Sequence, residues 1–153
     1  MPRAYVALGS NLGDRETTIR GALDALGREQ GIAVVAVSTL IDTEPVGVVD
    51  QPRFLNGVAV VDTELSARGL LAVLLELERR FGRRREAAVP QGPRTLDLDL
   101  LVYGEDEIDE PGLVVPHPRL HERAFVLGPL AEVAPGLEVP GKGQVETLRA
   151  RLH

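Results

Sequence analysis

The strongest constraint on this chain is the order in which its hydrophobic period changes. A short apolar run, Ala4-Tyr5-Val6-Ala7-Leu8, reads as a strand and stops at Gly9-Ser10-Asn11-Leu12-Gly13, a loop with two glycines and a turn-forming Asn. Asp14 then stands as the N-cap of a helix running to about Gln30, with Ile19, Leu23 and Leu26 on one face and Gly31 closing it. The β-branched run Ala33 to Ile41 reads as a second strand, Thr43 to Pro52 as a loop, and Phe54 to Asp62 as a third strand. Ser66 caps a second helix in which Leu70, Leu74, Leu77 and Phe81 recur at helical spacing, and Gly82 ends it. Gly82 to Gly92 carries no apolar period, and loops of that length tend to be functional or disordered. Thr95 to Tyr103 then forms a fourth strand.

Beyond it lie the acidic turn Gly104-Glu105-Asp106-Glu107 and a short strand pair around Ile108 and Val114. Leu120 to Ala134 reads as mostly helical with a break near Gly128-Pro129, and Val145 to Leu152 as a last helical turn or two. The order β-α-β-β-α-β predicts an α+β fold of the ferredoxin-like kind: an antiparallel sheet with helices packed on both faces, where an added C-terminal hairpin and helix cover the second face. No internal repeat or linker interrupts residues 1–153, so a single domain is expected, long enough to bury a real core without staples. Many functions use this plan, so function must come from sites.

Composition removes several classes. The chain has no cysteine, which excludes disulfides, thiolate metal sites and a cysteine nucleophile. No stretch approaches the ~20 apolar residues of a membrane span, and the first residues read as a strand rather than a signal peptide; a cytoplasmic protein with no membrane partner is expected. A net charge of −6 argues against broad nucleic-acid binding. Charge is nevertheless uneven. Glu76 to Arg94 holds six arginines against three acids, a basic island in an acidic protein. Only Lys142 among the 17 basic residues is a lysine, and arginine's planar fork suits phosphate.

The sharpest motif is Gly92-Pro93-Arg94-Thr95-Leu96-Asp97-Leu98-Asp99-Leu100. Side chains alternate along a strand, so Asp97 and Asp99 share a face with Cα atoms about 6.6 Å apart. Two carboxylates so placed suit Mg²⁺, which takes one or two carboxylates and completes its shell with water and phosphate oxygens. From the motif alone, a strand with one solvated polar face is the commoner reading. The arginines Arg83, Arg84, Arg85 and Arg94, with Arg119 and Arg123 further on, offer guanidinium groups to a polyphosphate, although a charge run also serves as a solvated face. A Walker-type phosphate loop is absent, and the glycines of residues 9–13 lack the dinucleotide-binding pattern. His117 is held between Pro116 and Pro118.

Four blocks together, Gly9-Ser10-Asn11-Leu12, Asp50-Gln51-Pro52 with Phe54-Leu55-Asn56, Gly92 to Asp99, and Val115-Pro116-His117-Pro118 with Arg123-Ala124-Phe125, resemble the 6-hydroxymethyl-7,8-dihydropterin pyrophosphokinases of folate biosynthesis. The resemblance covers nearly the whole chain. It implies transfer of pyrophosphate from ATP to the pterin hydroxymethyl group, with AMP leaving. It implies that Asp97 and Asp99 hold two Mg²⁺ ions and that Arg83 and Arg85 act from a mobile catalytic loop. Arg94, Leu100, His117 and Arg123 join them in binding ATP. Thr43, Val46 and Asn56 would read the pterin edge, and Phe54 and Phe125 would sandwich its faces. ATP and the pterin are the expected partners, and a monomer is expected. Gln91 and Pro90 depart from the family, many members of which place Trp and often a basic residue there, and Val114 replaces a hydroxyl residue of some members.

Two other classes remain open on the residues alone. One is a non-catalytic binding module, although an RNA-reading sheet needs exposed aromatics and the strand from Phe54 offers one. The other is a nucleotidyltransferase, which would share the carboxylate pair but release pyrophosphate.

Overall fold

A computed structural model describes residues 1–44, 52–81 and 96–152. Its centre is an antiparallel sheet in the order β2-β4-β1-β5, formed by β1 (Arg3–Ser10), β2 (Ile32–Val37), β4 (Phe54–Thr63) and β5 (Asp97–Tyr103), with the short β3 (Ile41–Thr43) also paired to β4. The helices α1 (Arg15–Gly27) and α2 (Ala67–Arg80) pack on one face. Both begin as the sequence predicts, because each cap satisfies a first-turn amide: Asp14 accepts from Thr17 N at 3.1 Å and Ser66 from Gly69 N at 3.0 Å.

Alternation along the strands divides the core. Ala4, Val6, Leu8, Ala59 and Val61 face α1 and α2, while Tyr5, Val58 and Val60 face α3 (Ala124–Val133) and α4 (Val145–Ala150). On β5 a bulge opposite Tyr5 and Val6 lets Leu101 and Val102 both join the second cluster, so the alternation changes phase there. Helices therefore cover both faces of the sheet.

Several features differ from the sequence reading, the first being that α1 ends at Gly27 rather than near Gln30. The run Ala33 to Ile41 is two strands, broken at residues 38–40. Ser38 Oγ accepts from Val58 N, and Glu132 takes both the N–H and the hydroxyl of Thr39 at 2.9 and 3.0 Å. Helix α3 runs through Gly128 and Pro129 without a break, since Pro129 is buried with Leu127 and Leu130; the interruption falls earlier, at Arg123, after a 3₁₀ turn over Leu120–Glu122. The pair β6 (Ile108–Glu110) and β7 (Leu113–Val115) packs Leu113 and Val115 with the α1 and α2 face rather than the opposite one. Arg68 of α2 ties it down through Glu110 at 3.0 Å. The two-residue strands β8 (Glu138–Val139) and β9 (Gly143–Gln144) have no counterpart in the sequence reading. The expected stop at Gly82 lies outside the described residues. Among the described residues no helix is long and apolar enough to cross a membrane.

Candidate active site

The register of three strands builds the floor of a cleft. Gly9 of β1 pairs with Asn56 of β4 on one side and with Asp97 of β5 on the other, and Ala7 pairs likewise with Val58 and Asp99. Paired residues share a face, so Asn56, Gly9 and Asp97 form one row across the sheet, spanning roughly 10 Å at the ~4.8 Å strand spacing. Gly9 keeps this row open. A Cβ there would stand 3.1 Å from Asn56 Oδ1 and 3.9 Å from both the Asp97 Cβ and the Phe54 ring.

Two segments beyond β5 complete the walls. His117 N donates to Leu101 O at 2.8 Å, which pins the residues after β7 onto the edge strand. Helix α3 then starts beside the floor with Phe125 in its first turn, and the Arg123 guanidinium lies 5.8 Å from the Phe125 ring centroid. The cleft is about 520 Å³, within the usual range for small-molecule sites.

This one cleft brings together Thr43, Phe54, Asn56, Asp97, Asp99, Leu100, His117, Arg123 and Phe125, nine residues singled out in the sequence. Val46, Arg83, Arg85 and Arg94 lie outside the described residues. Asn56 is nearly buried and donates through Nδ2 to Thr43 Oγ1, so the amide is held in a fixed orientation by a cross-strand neighbour. Asn11, from the same block as Gly9, donates to Pro52 O at 3.0 Å and so ties the end of β1 to the entry of β4.

His117 is electrically defined. Its Nδ1 accepts the Arg119 N–H at 3.1 Å, which in the neutral ring leaves Nε2 as the donor. Burial first, and then the neighbouring Arg123, pushes its pKa down to about 4, against an opposing pull from Asp97. At neutral pH the ring is therefore a neutral hydrogen-bond donor. The unfolded chain takes up this proton below about pH 6.5 and the folded chain only near pH 4, so the unfolded state binds more protons between them and stability falls as pH drops through that window. Allowing for solvent screening of a partly exposed ring, the loss is about 1–2 kcal/mol. Denaturant titrations at pH 7 and pH 4.5 should show that slope in the native chain and a flatter one in His117→Gln. Asp14, Asp42 and Asp62 are held below their ordinary range by hydrogen bonds from Thr17, from Arg15 and Arg53, and from Arg3, so their contributions disappear only at still lower pH.

Several cleft residues were not singled out by sequence reading. Leu71, Leu75 and Glu78 lie along one side of α2 at i, i+4 and i+7 and line the cleft with Leu113 and Val114. Leu75 and Val114 are 41% and 39% exposed. They form an apolar slot on the far side of β5 from the two aspartates. Glu78 accepts the Leu98 N–H, so that N–H points outward from the sheet edge. By the two-residue alternation the backbone of Leu100 points the same way, into the slot. The signal available in the sequence was the second stripe of α2 beside its buried stripe Leu70, Leu74 and Leu77.

Comparison with known proteins identifies the family. The sequence model of the 7,8-dihydro-6-hydroxymethylpterin-pyrophosphokinase family matches residues 5–135. A 2-amino-4-hydroxy-6-hydroxymethyldihydropteridine pyrophosphokinase of Pseudomonas aeruginosa is 50% identical over 97% of this chain and 91% of its own length. The protein of the same name from Bacillus subtilis is 46% identical over 88% of this chain and 80% of its own. Among solved structures, an HPPK-DHPS in complex with substrates superposes over 98% of this chain with a TM-score of 0.75 at 12% identity; this chain spans 43% of that one, and the likeness speaks for the fold. With a family match over most of its length and relatives at this identity, the chain belongs to the 7,8-dihydro-6-hydroxymethylpterin-pyrophosphokinase family.

Proposed function

We propose that this chain transfers pyrophosphate from ATP to the hydroxymethyl group of 6-hydroxymethyl-7,8-dihydropterin. The alcohol oxygen attacks the β-phosphorus, the bond to the α-phosphate oxygen breaks, AMP leaves and the hydroxyl proton is released. The observation that carries this reading is the row Asn56, Gly9, Asp97. It sets the Asn56 amide at one end of an open floor and the carboxylate strand at the other, in a cleft that Phe54 and Phe125 also line.

The heterocycle end follows from chemistry. A flat polar ring system needs faces above and below and a polar edge contact. Phe54 and Phe125 supply the faces, while Asn56 and Thr43, with Val46 carried over from the family, supply the edge. The slot formed by Leu71, Leu75, Leu100, Leu113 and Val114 suits the base of ATP, where the edge backbone of Leu100 offers hydrogen bonds. His117 Nε2 would then donate toward the phosphates, and Arg123, which lines the same cleft beside Phe125, would add a guanidinium to them. Arg83, Arg85 and Arg94 are carried over from the family as further phosphate contacts.

The donor set fits magnesium. Asp97 and Asp99 offer hard oxygen ligands from one strand face, the number Mg²⁺ takes when water and phosphate complete its shell. Two ions held there would neutralise triphosphate charge and favour in-line displacement. Phosphoryl transfer asks chiefly for positioning and charge stabilisation, and no residue is assigned as a general base.

The strand order supports the ferredoxin-like plan, with residues 1–153 as one catalytic unit. A monomer in the cytoplasm completes the proposal. Product analysis tests the reading. MgATP and the dihydropterin should yield AMP and a pterin pyrophosphate in equal amounts; release of pyrophosphate would favour nucleotidyl transfer, and absence of turnover a binding module.

A further inference from the structure

Beside the leucines that pack helix α2 against the carboxylate strand, one buried acid of that helix also reaches the strand. Glu78 is 3% exposed, and its Oε2 accepts the Leu98 N–H at 2.7 Å. Leu98 lies between Asp97 and Asp99 on β5, which ends the sheet among the described residues, so within them this N–H has no strand beyond it to bond. Burying a carboxylate is costly, yet a charged acceptor also makes a stronger hydrogen bond than a neutral one. Such a group holds an edge peptide more firmly than water would. The Leu98 peptide is also the pivot of the motif: tilting it swings the aspartate on either side.

We propose that Glu78 is a positioning residue for the two aspartates, fixing the pitch of β5 so that their carboxylates converge on one site. This rests on the reading that Asp97 and Asp99 hold the metal. Residues that orient metal ligands without touching the ion typically change metal affinity by 10–100-fold when removed.

The test is Mn²⁺ binding to the full chain, followed by electron paramagnetic resonance with a non-hydrolysable ATP analogue, in Glu78→Ala, Glu78→Gln and Asp97→Asn. Hydrogen exchange at the Leu98 amide and binding of the dihydropterin to the analogue complex are measured alongside. Glu78→Ala should weaken Mn²⁺ at least ~10-fold and speed Leu98 exchange, while dihydropterin affinity stays within about threefold. Glu78→Gln, whose amide oxygen still accepts, should recover most of the loss. If Asp97→Asn weakens Mn²⁺ and Glu78→Ala does not, the positioning role is overturned and the metal reading stands. If neither variant weakens Mn²⁺, the metal reading itself fails. Equal losses in Glu78→Ala and Glu78→Gln, or a parallel loss of dihydropterin affinity, would also overturn the proposal.

Discussion

Asp97→Asn or Asp99→Asn should lower turnover at least ~100-fold, a transition-state loss of about 2.7 kcal/mol. Each substitution keeps the shape of the side chain and removes its charge. Both residues sit on β5 in register with β1, at Gly9 and Ala7, so the strand itself should remain in place. An amide is a poor magnesium ligand compared with a carboxylate, and it leaves triphosphate charge without its counterion. Part of the activity should return at raised Mg²⁺, and the thermal midpoint should change little. Near-normal rates at limiting Mg²⁺ would contradict this.

Gly9→Val should reduce kcat/KM for the dihydropterin by ~100-fold, an effect of the size expected when a substrate is displaced by about an ångström. The cause is occupied space. The added Cβ stands 3.1 Å from Asn56 Oδ1, and the two γ carbons enter the floor between the amide and the carboxylates. Affinity for an ATP analogue should change much less, since the apolar slot lies on the opposite side of β5. Overpacking should cost about 1–3 kcal/mol of stability, to be checked by denaturant titration. Equal losses for both substrates would show that Gly9 serves the fold rather than the floor.

Local chemistry was the most legible part of the sequence. The caps at Asp14 and Ser66 depend on side chains three residues from the amides they satisfy, and the shared face of Asp97 and Asp99 depends only on the strand period. Long-range choices were not legible. The run Ala33 to Ile41 has no internal breaker, and it divides where Glu132, 93 residues away from Thr39, takes the backbone N–H. Gly128-Pro129 looks like a helix end but stays helical, where burial with Leu127 and Leu130 outweighs local preference. The row Asn56, Gly9, Asp97 needs two strand registers at once, and neither is fixed by its own segment. In the sequence Glu78 is only one of the three acids between Glu76 and Arg94. Only the position of α2 against the sheet edge turns it into the partner of Leu98.

The most direct test of the whole account is the anomalous scattering of Mn²⁺ in crystals of the chain with a non-hydrolysable ATP analogue and the dihydropterin. Metal density should lie between the phosphates and the carboxylates of Asp97 and Asp99, with the pterin between Phe54 and Phe125 and its hydroxymethyl oxygen facing the β-phosphorus. Metal bound elsewhere, with both carboxylates turned to solvent, would contradict it.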